Sequence, residues 1–282
     1  MIKIYTDTSA NLPPELIERH GLEVIPFSYS VNGIEKTERI FDGRHFYDAM
    51  RAGARVKTSM INIACFTDEF RAQLDAGNDV IYVGMSGGIS GTANAAAVAV
   101  EELRTEFPER RIAAIDTLAA SLGEGLQAIR AAQLRESGES FERIVACICA
   151  ERHAMRQFFT VDDLEYLKRG GRLSRAATVI GTVLKIKPVL MGDEAGRIVV
   201  CGKVRGRRQS LLALADRYDE LVGDRGARIG IAHADDEEGA EFLLGELRRR
   251  GCSGNCLTVC YEPVTGSHVG PGTVALFFSS GQ

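Results

Sequence analysis

Residues 79–116 read "DVIYVGMSGGISGTANAAAVAVEELRTEFPERRIAAID", and this stretch decides the fold. The apolar run "DVIYVG" has strand character and stops at a turn of glycines and hydroxyls, "SGGISGT" at 86–92. An alanine-rich helical pattern follows, and then a second apolar run, "RRIAAIDT". Strand, glycine turn, helix and strand in that order predict a parallel pair joined by a crossover helix. The alternation extends outward: "IKIYTD" at 2–7 reads as a strand and "LPPELIERHG" at 12–21 as a helix with prolines at its start. Residues 125–138 and 140–152 read as two further helices.

Beyond residue 152 the pattern changes. "RQFFTVDD", "RIVVCGKVR", "ARIGIAHA", "CLTVCYEPV" and "GTVALFFSS" are strand candidates, interrupted by only two helical stretches, at 207–222 and 236–250. The sequence therefore predicts an α/β protein of two domains: a parallel-sheet α/β domain at 1–152 and a mixed α+β domain at 153–282.

At 282 residues and 45% hydrophobic content the chain can bury a substantial core. A net charge of -4 argues against nucleic acid as the main partner. The start "MIKIYTDTSA" has no basic n-region, and no apolar run approaches the roughly 20 residues of a membrane span, so a cytoplasmic protein is expected. Seven cysteines, an odd count, suit free thiols in a reducing compartment. Cys252, Cys256 and Cys260 straddle a Ser-Gly-Asn turn and need not converge, so no metal site is expected.

Ligands of open parallel sheets bind beyond the carboxyl ends of the strands. Three such ends here are small and polar: "TDTS" at 6–9, "SGGISGT" at 86–92 and "DTLAAS" at 116–121. In the middle one, Ser90, Gly91 and Thr92 stand just ahead of a helix, where free N–H groups and the helix dipole favour an anion. "VKTS" at 56–59 adds Thr58 and Ser59 in what reads as a loop. "DDLEYLKRGGRLS" at 162–174 reads as a capped helix stopping at Gly170-Gly171, with Arg172 after the stop. His268 sits in "GSHVGPGT", an apparent tight loop. A rival reading comes from "GMSGG" at 84–88. It fits a G-x-S-x-G nucleophile elbow, and Ser86, Asp116 or Asp219, and His268 follow the order of a hydrolase triad. No HGGG-like oxyanion loop precedes it, and the second half lacks the alternation that would complete a hydrolase sheet.

"DTSANLP" at 7–13, "KTS" at 57–59, "SGGISGT", "DTLAAS", "LEYLKRGGRLS" at 164–174, "KVRG" at 203–206 and "HVGPGT" at 268–273 together resemble the ordered motifs of the DegV family of fatty-acid-binding proteins. The likeness covers essentially the whole chain. It implies one long-chain fatty acid held in a cavity between the two domains. In family members that serve a fatty-acid kinase, the acid is presented for phosphorylation, and the binder shuttles acid and acyl phosphate with transient membrane contact. Carried over by position, Thr58 and Ser90 would bind the carboxylate, with Ser59, Gly91 and Thr92 beside them and Arg172 and His268 near the head group. No catalytic residue, metal or cofactor is implied in the chain itself. One departure stands out: after Ser59 the family usually continues with Gln and Pro, whereas "MIN" follows here at 60–62.

Overall fold

The computed structural model describes residues 1–36, 41–173 and 186–281. These form two compact units: Met1–Ser28 with Thr58–His153, and Tyr29–Lys57 with Ala154–Gln282. The division is not the single cut expected at 152/153, because residues 29–57 go with the second unit.

The first unit is built on a four-stranded, all-parallel sheet of β1 (Ile2–Asp7), β2 (Leu22–Ile25), β6 (Asp79–Gly84) and β7 (Ile112–Asp116), ordered β2-β1-β6-β7. Its helices are α1 (Pro14–Arg19), α3 (Ile63–Asp75), α4 (Thr92–Glu106), α5 (Leu122–Glu136) and α6 (Phe141–Glu151). Alternate residues serve opposite faces of the sheet, as the strand period dictates. Ile4, Ile81, Val83 and Ile115 join Ala128, Ala132, Ile144 and Ile148 of α5 and α6 in one apolar layer. Tyr5 and Tyr82 turn the other way, onto Phe66 and Phe70 of α3. With both faces covered, the strands read as near-continuous apolar runs, and β6 is buried throughout.

A small sheet has the order β4-β3-β5, from β3 (Ser28–Val31), β4 (Ile34–Lys36) and β5 (Val56–Ser59). Asn32 and Gly33, both with positive φ, form the turn between β3 and β4, the favoured chemistry for a two-residue hairpin. "VKTS" is therefore a strand rather than the expected loop, with alternate residues half-buried and exposed.

The second unit carries a six-stranded mixed sheet of β8 (Met155–Thr160), β9 (Ile186–Gly192), β10 (Ile198–Arg205), β11 (Ile229–His233), β12 (Cys256–Cys260) and β13 (Val274–Ser279). The order is β10-β9-β8-β13-β11-β12; β11 and β12 pair parallel and the other neighbouring strands antiparallel. Its helices are α2 (Gly43–Arg51), α7 (Glu165–Arg169), α8 (Arg207–Leu221), α9 (Glu237–Arg249) and α10 (Pro263–Val269). Leu211, Leu214 and Tyr218 of α8 and Leu243 and Leu247 of α9 close over Phe158, Val189, Ile231, Leu276 and Phe278. The reason α2 belongs to this unit is a buried polar anchor: Tyr47 is fully buried, and its hydroxyl donates to the carbonyl of Tyr261 at 2.8 Å. Arg51 also pairs with Asp235 at 2.5 Å.

Candidate functional site

The turn after β6 is assembled by short polar bonds. Ile89 and Ser90 donate backbone N–H groups to the Ser86 carbonyl, at 3.2 and 3.1 Å. The Ser90 hydroxyl lies 2.9 Å from the Thr92 hydroxyl and accepts from Thr92 N–H at 3.3 Å. Gly91 is the N-cap of α4 and has ordinary helical angles, φ -72° and ψ -3°, so its backbone does not require glycine. An added Cβ would meet the Met60 sulfur at 2.8 Å, a contact that this exposed, flexible side chain can relieve by moving, so Met60 is a neighbour of the turn and glycine is not required. Met60 follows Thr58 and Ser59 directly and belongs to the same unit, so this contact sets the end of β5 against the Ser90–Thr92 turn. Thr58 and Ser90 are half-buried, Ser59 and Gly91 exposed, and Thr92 fully buried. Gly91 at the N-cap offers no side-chain cap, Ser90 takes the Thr92 N–H, and the dipole of α4 favours negative charge nearby.

Asp116 holds the neighbouring turns in place. One oxygen accepts from Gly87 N–H at 3.0 Å and the other from Leu118 N–H at 2.8 Å. Leu118 and Ser121 both have positive φ, an uncommon conformation for such residues that recurs at ligand sites. The hydrolase reading is not supported. Ser86 is 0% exposed and its hydroxyl accepts from Gly88 N–H at 3.0 Å, whereas a nucleophile elbow must expose its serine. Asp219 is paired with Arg225 and Arg250.

Arg172 and His268 belong to the second unit. His268 lies in the last turn of α10, not in a loop: Pro263 at the first helical position and Glu262, accepting from Val264 and Thr265 N–H, start a helix where a strand was expected to run on to Val264. The glycines around His268 have separate duties. Gly270 and Gly272 adopt φ of 81° and 78°, which ends the helix and turns the chain into β13. Gly170 lets the imidazole approach, since a Cβ there would lie 2.3 Å from His268 Nδ1. Arg172 donates to the Gly170 carbonyl at 2.5 Å. Burial, aided by Arg172, pushes His268 down to about 4, so its ring is neutral at pH 7. Burial also lowers Arg172, which remains cationic as guanidinium groups do in proteins. The helix expected over 162–174 is short, Glu165–Arg169, and Ser174 and residues 178–185 lie outside the described residues.

Sequence reading missed a buried acid pair. Asp7 and Glu124, 1% and 0% exposed, meet on the Ser9 hydroxyl, 2.5 Å from Asp7 Oδ1 and 2.8 Å from Glu124 Oε2. "TDTS" hinted at Asp7, but Glu124 falls just before the helix read over 125–138, where a glutamate carries no signal of burial. Met60 was noticed only as a departure from pattern.

The chain is a two-unit α/β protein with a hydroxyl-rich turn at the start of α4. Comparison places it more narrowly. The family model for uncharacterised proteins of the DegV family matches residues 1–281, and the chain belongs to that family. It is 34% identical over 279 residues to a DegV domain-containing protein of Clostridium perfringens, covering 98% of this chain and 96% of that one. Among solved structures, a fatty-acid-binding DegV family protein from Thermus thermophilus superposes with a TM-score of 0.90 at 30% identity, covering 99% of each chain. A fatty-acid-binding DegV family protein from Streptococcus agalactiae superposes with a TM-score of 0.87 at 30% identity, covering 100% of this chain and 99% of that one. Among the described residues, no helix is long and apolar enough to cross a membrane.

Proposed function

We propose that the protein binds one long-chain fatty acid and presents its carboxylate to a fatty-acid kinase, shuttling acid and acyl phosphate in the cytoplasm with transient membrane contact. In this reading Thr58 and Ser90 donate to the carboxylate, and Ser59, Gly91 and Thr92 shape the turn around it. Arg172 supplies positive charge to the head-group surroundings, and His268 a neutral ring that can donate or accept. The phosphoryl chemistry belongs to the kinase, so this chain needs no catalytic group or cofactor of its own.

The observation that carries the reading is the approach of Met60 to Gly91, which puts the end of β5, with Thr58, beside the Ser90 turn. It gains weight from the fatty acids bound by family members of the same fold. The energetics agree. Burying a chain of about sixteen carbons contributes on the order of 10 kcal/mol before ordering costs. A buried carboxylate is costly unless several donors converge on it. For the kinase, Lys203 and Arg205 on β10 and Arg208 on α8 give an exposed basic surface.

Mass spectrometry of an organic extract of the purified protein tests the binding. One equivalent of a long-chain acid supports it; a lipid-free protein that also refuses added oleate and palmitate defeats it. Formation of acyl phosphate from the bound acid, on adding a fatty-acid kinase and ATP, tests the partnership.

A further inference from the structure

We propose that Asp7 and Glu124 share one proton through the Ser9 hydroxyl, and that this buried pair is the positioning device for the turn from Met85 to Thr92. Its role in ligand binding rests on the fatty-acid reading above; its proton does not.

Proton counting carries the first half. The Ser9 hydroxyl has one hydrogen, yet it lies 2.5 Å from Asp7 Oδ1 and 2.8 Å from Glu124 Oε2. It can donate to only one of them, so the other contact needs a proton from the carboxyl side. The remaining donors say which acid holds it. Asp7 accepts from Ser9 N–H at 2.8 Å, from the Tyr82 hydroxyl at 2.5 Å and from the backbone N–H of Met85. Glu124 accepts from the Thr6 hydroxyl at 3.1 Å. Asp7, with more donors, carries the charge. Glu124 carries the proton and donates it to Ser9 Oγ, whose own hydrogen goes on to Asp7.

The groups acting on the pair are Thr6, Ser9, the Met85 amide and Tyr82 on β6, with Asp116 at the end of β7 acting on Tyr82; each is neutral or acidic. Two unprotonated carboxylates in that setting would repel without compensation, and burial raises both acids, Glu124 well above its ordinary range.

The second half follows from where the bonds lead. Asp7 closes β1, Tyr82 and Met85 flank the end of β6, and Glu124 stands in the first turn of α5. Gly125 lets α5 approach so closely that a Cβ there would lie 2.5 Å from the Ala10 carbonyl. Asp7 thus fixes Met85, the residue from which the turn to Ser90 departs. Losing the shared proton would place two anions at this junction and loosen that turn.

Infrared spectroscopy and ligand titration test the two halves separately. The protein at pH 7 is expected to show the C=O band of a protonated, buried carboxyl group that disappears in Glu124→Gln. Glu124→Gln keeps a donor for Ser9 and an acceptor for Thr6, so it should fold and serve as the infrared comparison. Tyr82→Phe, which removes one donor from Asp7 and should fold, is expected to weaken oleate about three- to tenfold, and Asp7→Asn at least tenfold. Absence of the band at pH 7, or its persistence in Glu124→Gln, overturns the shared proton on Glu124. Unchanged oleate affinity in Tyr82→Phe overturns the positioning role. If wild type takes up no fatty acid, the proposed function fails and the infrared result still decides the proton.

Discussion

Ser90→Ala is the perturbation that weighs most directly on the binding turn. The Ser90 oxygen accepts from Thr92 N–H at 3.3 Å and sits 2.9 Å from the Thr92 hydroxyl. With the Thr92 hydroxyl as donor, Ser90 keeps its own hydrogen for a carboxylate. Removing one hydrogen bond to a charged group costs about 1.5–3 kcal/mol, which is roughly a 10- to 150-fold rise in Kd. Stability also suffers, because Thr92 is fully buried and its hydroxyl loses a partner. Orphaning such a group costs about 1–3 kcal/mol. The double variant Ser90→Ala/Thr92→Val separates the two effects, since replacing both members of a buried polar pair by apolar groups is nearly neutral. Kd from displacement of a fluorescent fatty acid, with melting of the delipidated protein in parallel, measures both. Ser90→Ala should lose affinity and some stability; the double variant should regain the part of the stability lost at the Thr92 hydroxyl and not the affinity. Affinity unchanged within twofold in Ser90→Ala, or restored with stability in the double variant, would refute a direct bond from Ser90 to the ligand.

Gly170→Ala tests the close approach of the imidazole: φ of -71° at Gly170 suits alanine, so the expected loss of about 1–3 kcal/mol comes from a Cβ 2.3 Å from His268 Nδ1. Denaturant unfolding measures it, and a neutral result would mean the ring moves freely aside. His268, depressed from 6.5 to about 4, binds its proton more readily in the unfolded chain, so stability is lost as pH falls through that interval. At about 1.4 kcal/mol per pH unit this amounts to about 3 kcal/mol, and His268→Gln should flatten the acid limb of the pH–stability curve. Glu124, raised by burial, acts in the opposite sense. Its contribution is complete below the ordinary carboxyl range and is lost as pH rises through its folded value, at up to about 1.4 kcal/mol per pH unit for one proton. Melting curves of Glu124→Gln should therefore decline less with rising pH than those of wild type, and parallel curves would contradict a proton held at Glu124.

Three strands of the first unit's parallel sheet, β1, β6 and β7, were legible in the sequence because both faces are covered, so they are near-continuous apolar runs with helices between them; the short edge strand β2 was not. The glycine turn at 86–92 was legible for the same local reason: a strand must give way to a helix within a few residues. Other features depended on contacts between residues far apart in the chain. "VKTS" carries two hydroxyl residues and reads as a loop, yet it pairs as β5. Residues 29–57 joined the second unit through Tyr47 and a carbonyl 214 positions away. His268 proved to lie on a helix because Glu262 and Pro263 start one against the apolar pattern of β12. The sequence thus determined the alternating elements and the small polar turns at their ends, since periodicity and turn chemistry are local. Tertiary structure alone decided that Met60 sits on Gly91 and that Ser9 bridges Asp7 to an acid 115 positions away, because burial and the company of other side chains, not residue type, govern close approach and where a proton resides.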